Sequence, residues 1–155
     1  MSQAFWAWSL DIYDRPDVKP ACLDLQDRHN LNVNILLWCC WLAQENRDAS
    51  PLLEQAAQAI EPWSQTFTGA IRKIRRQSAE DQHTSGLYKS LLACELDAER
   101  IEQDMLFELA SVANEAGIGK IALARKALLA YAGIKGVEVD FAMFLKAVFP
   151  DCKSV

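Results

Sequence analysis

Histidine is scarce in this chain, with only His29 and His83 among 155 residues. That count excludes a histidine-rich metal centre. A zinc site has little to build on either. There is no C-x-x-C, adjacent Cys39 and Cys40 point about 100° apart, and Cys22 and His29 lie about 10 Å apart along one helical face. Six glycines and five prolines are too few for collagen-like or low-complexity material. The longest apolar run, residues 35–43, falls far short of the roughly 20 residues that cross a bilayer, so no membrane span is expected. Sustained two-residue alternation is missing apart from Val137-Glu138-Val139, which leaves no sheet to expect. No secretory signal pattern precedes the cysteines, and their number, five, is odd. Reduced, buried thiols and a cytoplasmic location are expected. With 16 basic and 21 acidic residues the net charge is -5, which argues against nucleic acid or an anionic membrane as partner.

What is present is helical periodicity. Half the residues (51%) are hydrophobic, enough for one core without disulfides or metal. The reading is all-α: a single-domain bundle of about six to seven helices over residues 1–150, with a short polar tail at 151–155. Phe5, Trp8 and Ile12 make one stripe of the first helix, and Trp6, Leu10 and Tyr13 make a second beside it, an arc too wide for one neighbour. Asp17 reads as an N-cap with Pro20 in the first turn behind it, and Val18, Ala21, Cys22, Leu25 and His29 form a stripe. Asn30 suits a left-handed helix end and Asn32 the next cap. The helix near 33–46 is apolar all round, which marks it as central. Ser50-Pro51 opens another helix, Pro62 kinks it, and Trp63, Phe67, Ala70, Ile71 and Ile74 hold the face beyond. After a polar connection at 77–85, a long helix is expected near 85–116. Its heptad-like seam is Leu87, Leu91, Cys94, Ala98, Ile101 and Met105, and Gly117 ends it. Two shorter helices follow, one closed by Gly133 and one capped by Asp140 and stopped by Pro150.

No catalytic motif emerges. Gly117-Ile118-Gly119-Lys120-Ile121 lacks the first glycine and the Ser or Thr of a phosphate loop, and no strand precedes it. Glu80-x-x-His83 is a single copy where a di-iron bundle needs two, and the Gly-x-Ser-x-Gly elbow is absent. The cluster Arg72-Lys73-x-Arg75-Arg76 has no interleaved aromatics. It is expected to neutralise Glu95, Asp97, Glu99, Glu102 and Asp104 of the long helix. Gln26, Asp27, Asn32 and Asn34 are the unusual polar residues of the apolar half, either as caps or as the polar end of a pocket.

Three segments carry a resemblance. Phe5-Trp6-x-x-Ser9-Leu10-x-x-Tyr13-x-x-Pro16, Ala21-Cys22-Leu23-x-Leu25-Gln26-Asp27 and Val33-Asn34-x-Leu36-Leu37-Trp38-Cys39-x-Trp41-Leu42 resemble a family of small uncharacterised proteobacterial proteins, a domain of unknown function, over roughly the first third of the chain. Asn30 stands where that family has glycine, and asparagine tolerates the same backbone geometry. The resemblance implies a bacterial cytosolic setting and no activity, cofactor or catalytic residue.

Two functions follow from these residues. The first is an interaction protein that binds a protein partner or a second copy of itself, with Trp6, Trp8 and Trp41 as anchors and Arg75 and Arg76 as steering charges. The alternative is a helical pocket for a small apolar ligand. Gln26, Asp27 and Asn34 would form its polar end, with Trp38 and Trp41 as walls and a buried Asp27 as general acid or base. An Asp27 that faces water would remove that reading.

Overall fold

A computed structural model describes residues 3–78 and 82–152. Helix α3, Val33–Gln44, lies at the centre, and every residue from Asn34 to Ala43 is buried. Its start is set locally. Asn30 takes the left-handed conformation (φ 54) that ends α2, Val18–His29, and Asn32 Oδ1 accepts the Ile35 N–H at 3.1 Å. Around α3 pack α1 (Gln3–Tyr13), α2, α6 (Ser85–Ala110) and α7 (Lys120–Ile134), while α8 (Ala142–Val148) closes over α2. One hydrophobic core takes residues from both ends of the chain, from Phe5 to Phe149. The all-α class expected from periodicity is the class observed; among the described residues there is no strand, only one isolated bridge between Arg47 and Glu115. Among the described residues no helix is long and apolar enough to cross a membrane.

Helices α4 (Leu53–Trp63) and α5 (Gly69–Ser78) run on from one another through a π turn, Ser64–Thr68, that begins two residues after Pro62. Counted as one bent helix, the pair brings the α-helices among the described residues to seven. A Cβ at Gly69 would stand 3.0 Å from the Ser64 carbonyl oxygen, so any larger residue there presses on the backbone of the π turn.

Several local expectations are corrected. Asp17 precedes α2 without a capping bond, and Asp48 Oδ1, not Ser50, accepts a backbone N–H (that of Ser50, 2.9 Å) before the short 3-10 turn Ser50–Leu52. The long helix ends at Ala110 instead of reaching 116. Arg47 reaches across to the Ala110 and Ala113 carbonyls, and Asp48 N–H donates to Asn114 O at 2.9 Å, so a distant loop satisfies the last turn. Likewise α3 stops at Gln44, where Asn46 turns with φ 57.

The seam of α6 is the largest correction. Leu87, Cys94 and Ile101 are exposed, and the residues turned inward are Glu95, Ala98, Glu102, Gln103, Leu106 and Ala110. On α5 the same inversion occurs: Phe67, just before it, and Ile74 face water, while Thr68, Arg72 and Arg75 turn toward α6. These two helices meet through polar side chains that complete one another, which apolar spacing does not report.

Candidate functional site

The inward faces of α5 and α6 frame a concavity. A cleft of about 430 Å³ opens between α1, α2, α5 and α6, with α3 at its floor. Trp6, Leu10 and Tyr13 form its α1 wall, Leu92 and Leu96 its α6 wall, and Leu37 its base. The second apolar stripe of α1 is therefore satisfied by neither the core nor solvent alone: it lines this opening, while Phe5 and Ile12 enter the core.

A buried polar network lies behind the cleft. Glu102, 1% exposed, accepts hydrogen bonds from Thr68 Oγ1 (2.8 Å), Asn34 Nδ2 (2.8 Å) and Asn32 Nδ2 (3.2 Å). Tyr131 Oη accepts the Asn32 N–H at 3.0 Å, and burial pushes the Tyr131 hydroxyl pKa well above its ordinary value. Gln103 Nε2 donates to Asn34 Oδ1 at 3.0 Å. Two atoms on residues that line the cleft, Gln103 Oε1 and Ser9 Oγ, have no hydrogen-bond partner and are closed to solvent. An unmet buried polar group costs about 1–3 kcal/mol.

Ion pairs edge the cleft. Arg72 bonds to Glu95 (2.8 Å) and Glu99 (2.9 Å), and Arg75 bonds to Glu95 through its Nε. Burial alone would raise the Glu95 carboxyl, but the bonds from Arg75 and Arg72 together outweigh it and hold the group below the usual carboxylate range. At Glu99 burial prevails over Arg72 and the pKa is raised. Tyr13, against the same pairs, is pushed up to about 12, mainly by burial. A second, smaller hollow of about 90 Å³ shares Gln26, Asn34, Arg72 and Glu99 with the cleft and ends at Tyr131 and Lys135.

The residues singled out from sequence are only partly brought together. Gln26 and Asn34 line the cleft; Trp38 and Trp41 do not. Trp38 is wholly buried on α3, and Trp41, 8% exposed, stacks on Phe5 at 5.1 Å between ring centroids, so neither is a wall or an exposed anchor. Asp27 faces water, 3.5 Å from Arg76, which removes the pocket built around a buried aspartate. Trp6 sits half-buried beneath the Arg100 guanidinium, and Trp8 Nε1 donates to Gln44 Oε1 at 3.4 Å. Arg75 is held by Glu95 and is not a free steering charge. The expected pairing of α5 with α6 is present at Glu95 and Glu99, while Glu102 pairs with neutral donors instead.

Sequence reasoning missed Ser9, Thr68 and Gln103. Nothing in their spacing marks them; the one available signal was that Glu95, Glu99 and Glu102 share a helical face. Glu80 of the Glu80-x-x-His83 motif lies outside the described residues, as do the last residues of the polar tail. Among the described residues no group of three or more His, Cys, Asp or Glu is placed to hold a metal ion.

No curated protein and no solved structure matches this chain. A family described as "Protein of unknown function (DUF2390)" matches residues 4–106, well beyond the first third to which the resemblance extended. Every residue that lines the cleft, from Trp6 to Gln103, falls inside that span, whereas Tyr131 and Lys135 of the smaller hollow fall outside it. The chain belongs to this family of unknown function, and the cleft is built wholly from the family's part of it.

Proposed function

We propose that this protein binds a small, largely apolar organic molecule in the cleft between α1, α2, α5 and α6. The observation that carries this reading is the cleft itself. At about 430 Å³ it falls within the usual range of ligand sites, and an apolar wall on α1 faces another on α6 over a polar end. Nothing in the lining forms a nucleophile–base pair, so the reading is binding without catalysis. Free cysteines suit a cytoplasmic location, and the resemblance suits a proteobacterial source.

Native mass spectrometry of the protein purified without detergent or organic solvent tests it, with Ser9→Phe as a filled-cleft variant whose fold is checked by circular dichroism. Wild type is expected to carry an adduct of a few hundred daltons that leaves on denaturation, and Ser9→Phe to lack it. Bare chain in both samples, or the same adduct in both, defeats the reading.

Docking on a protein partner or a second copy is the other reading, and the inverted helix pair supports it. Leu87 and Ile101 on α6, Ile74 on α5 and Phe67 in the π turn before it stay exposed, large apolar side chains that a partner could cover. A mass equal to two chains, abolished by Ile74→Glu, would favour this reading over the first.

A further inference from the structure

We propose that the outer face of the α5–α6 pair, turned away from the cleft, is where two copies of this chain meet, with α5 of each copy laid on α6 of the other. The inference rests on the docking reading and names both the partner and its orientation.

The face follows from the order of residues around each helix. Around α6, Leu92 and Leu96 line the cleft, and Glu95 and Glu102 turn to α5. The next sector of the helix holds Leu87, Leu91, Cys94 and Ile101, the heptad-spaced seam of the sequence. Around α5, Arg72 and Arg76 border the cleft and Thr68 and Arg75 turn to α6. Phe67, Ile71 and Ile74 come next, on the same side as the seam. Two contacts tie the stripes together. Trp63 Nε1 donates to Ala98 O at 3.1 Å, and the Trp63 ring packs on Phe67 with centroids 4.3 Å apart. Phe67, Ile74, Leu87 and Ile101 on this surface are 39–53% exposed. Coiled-coil spacing that faces water instead of the core is a seam for other helices.

Charge at the rim selects the occupant and its orientation. Thr68 bonds to Glu102, Arg72 to Glu99 and Arg75 to Glu95, so the two helices run antiparallel with Lys73 level with Asp97. Asp97 and Glu108 are exposed along the edge of α6 beyond the seam, and Lys73 is exposed on the flank of α5 away from α6. Among the described residues none of these three is ion-paired. A two-fold axis along the helices keeps every residue at its level. It lays α5 on α6 and sets Lys73 of each copy beside Asp97 of the other, twice over. An axis across the helices lays α6 on α6 and sets acidic edge against acidic edge, which opposes pairing. The face is thus complementary to itself in one orientation, and two helix pairs laid together make a four-helix bundle. The exposed side chains are few, so the pair is weak and forms as concentration rises.

Sedimentation velocity of the full chain from micromolar to millimolar concentration tests this, with iodoacetamide labelling of Cys94 read by mass spectrometry in the same samples. Single chains are expected when dilute and paired chains when concentrated. Cys94 should label freely in the first and more slowly in the second, while Cys152 keeps its rate. Ile74→Glu should abolish the pair. Lys73→Asp and Asp97→Lys should each weaken it about tenfold, and the double reversal should restore it. All three positions are exposed, and circular dichroism confirms that each variant folds. A pair that Ile74→Glu dissociates, but that neither reversal weakens or that Asp97→Lys strengthens, overturns this orientation and keeps docking on this face. A pair indifferent to Ile74→Glu puts the contact elsewhere and overturns the inference. A single chain at every concentration overturns it too, and leaves the docking reading to a different protein.

Discussion

Asn34 Nδ2 donates to Glu102 Oε2 across 2.8 Å, joining the central helix to the long helix between two buried residues. The carboxylate is held by three neutral donors and no cation, so its position depends on hydrogen-bond geometry alone. Glu102→Gln places an amide N–H₂ against donors that already point inward. A loss of about 3 kcal/mol is expected from urea denaturation, as for a buried bond to a charged group left unmade. A loss below about 1 kcal/mol would mean that the network does not hold α3 to α6.

Glu95 and Glu99 should give opposite pH trends. The Glu95 pKa is lowered in the fold, so its contribution is complete above the unfolded value of about 4.3 and is lost as pH falls through the folded value beneath it. The Glu99 pKa is raised, so its contribution is complete below about 4.3 and is lost as pH rises through the higher folded value. Glu95→Gln is therefore expected to destabilise by about 3 kcal/mol at neutral pH, the scale for removing one partner of a buried pair, and by progressively less toward acid. Glu99→Gln should improve relative to wild type as pH rises. Urea midpoints measured from pH 2 to 8 would show whether the two differences run in opposite directions.

Trp6 on the first helix and Trp41 on the third should separate by size of effect. Trp41→Ala empties core space against Phe5 and Phe107 and is expected to cost about 3–5 kcal/mol. Trp6→Ala trims the cleft wall beneath Arg100 and should cost less than about 1.5 kcal/mol while weakening binding in the cleft. Comparable losses in stability would place Trp6 in the core instead.

Thiol reactivity should follow burial. Cys94 is exposed and is expected to react with Ellman's reagent at once in the folded protein, and Cys152, half-buried, more slowly. Burial pushes the Cys22 thiol up to about 12 and Cys39 and Cys40 well above the ordinary range, so these three should react only after unfolding. Fast reaction of more than two thiols without denaturant would contradict the packing of α2 against α3.

Much of the helical architecture was readable in short stretches. The Asn30 and Asn32 pair marked the junction before α3, the apolar run marked α3 as central, and the double stripe of α1 signalled a helix with two different neighbours. These features lie within one or two turns, where capping chemistry and spacing act directly. The end of α6 was misjudged because Arg47, far away in the chain, satisfies its last carbonyls.

Local pattern thus settled which residues form helices and which helix lies at the middle, because burying an apolar face is the same problem in any surroundings. It could not settle which face of α5 or α6 turns inward. Apolar spacing locates a buried face only where that face is apolar, and here Glu95 and Glu102 are buried, and Glu99 partly so, among donors from other helices. Arg72 stands 27 positions before Glu99, and Asn34 stands 68 before Glu102. Only tertiary folding brings such partners close enough to offset the loss of water around a carboxylate, so the cleft and the polar network behind it exist in the assembled fold and not in any one segment.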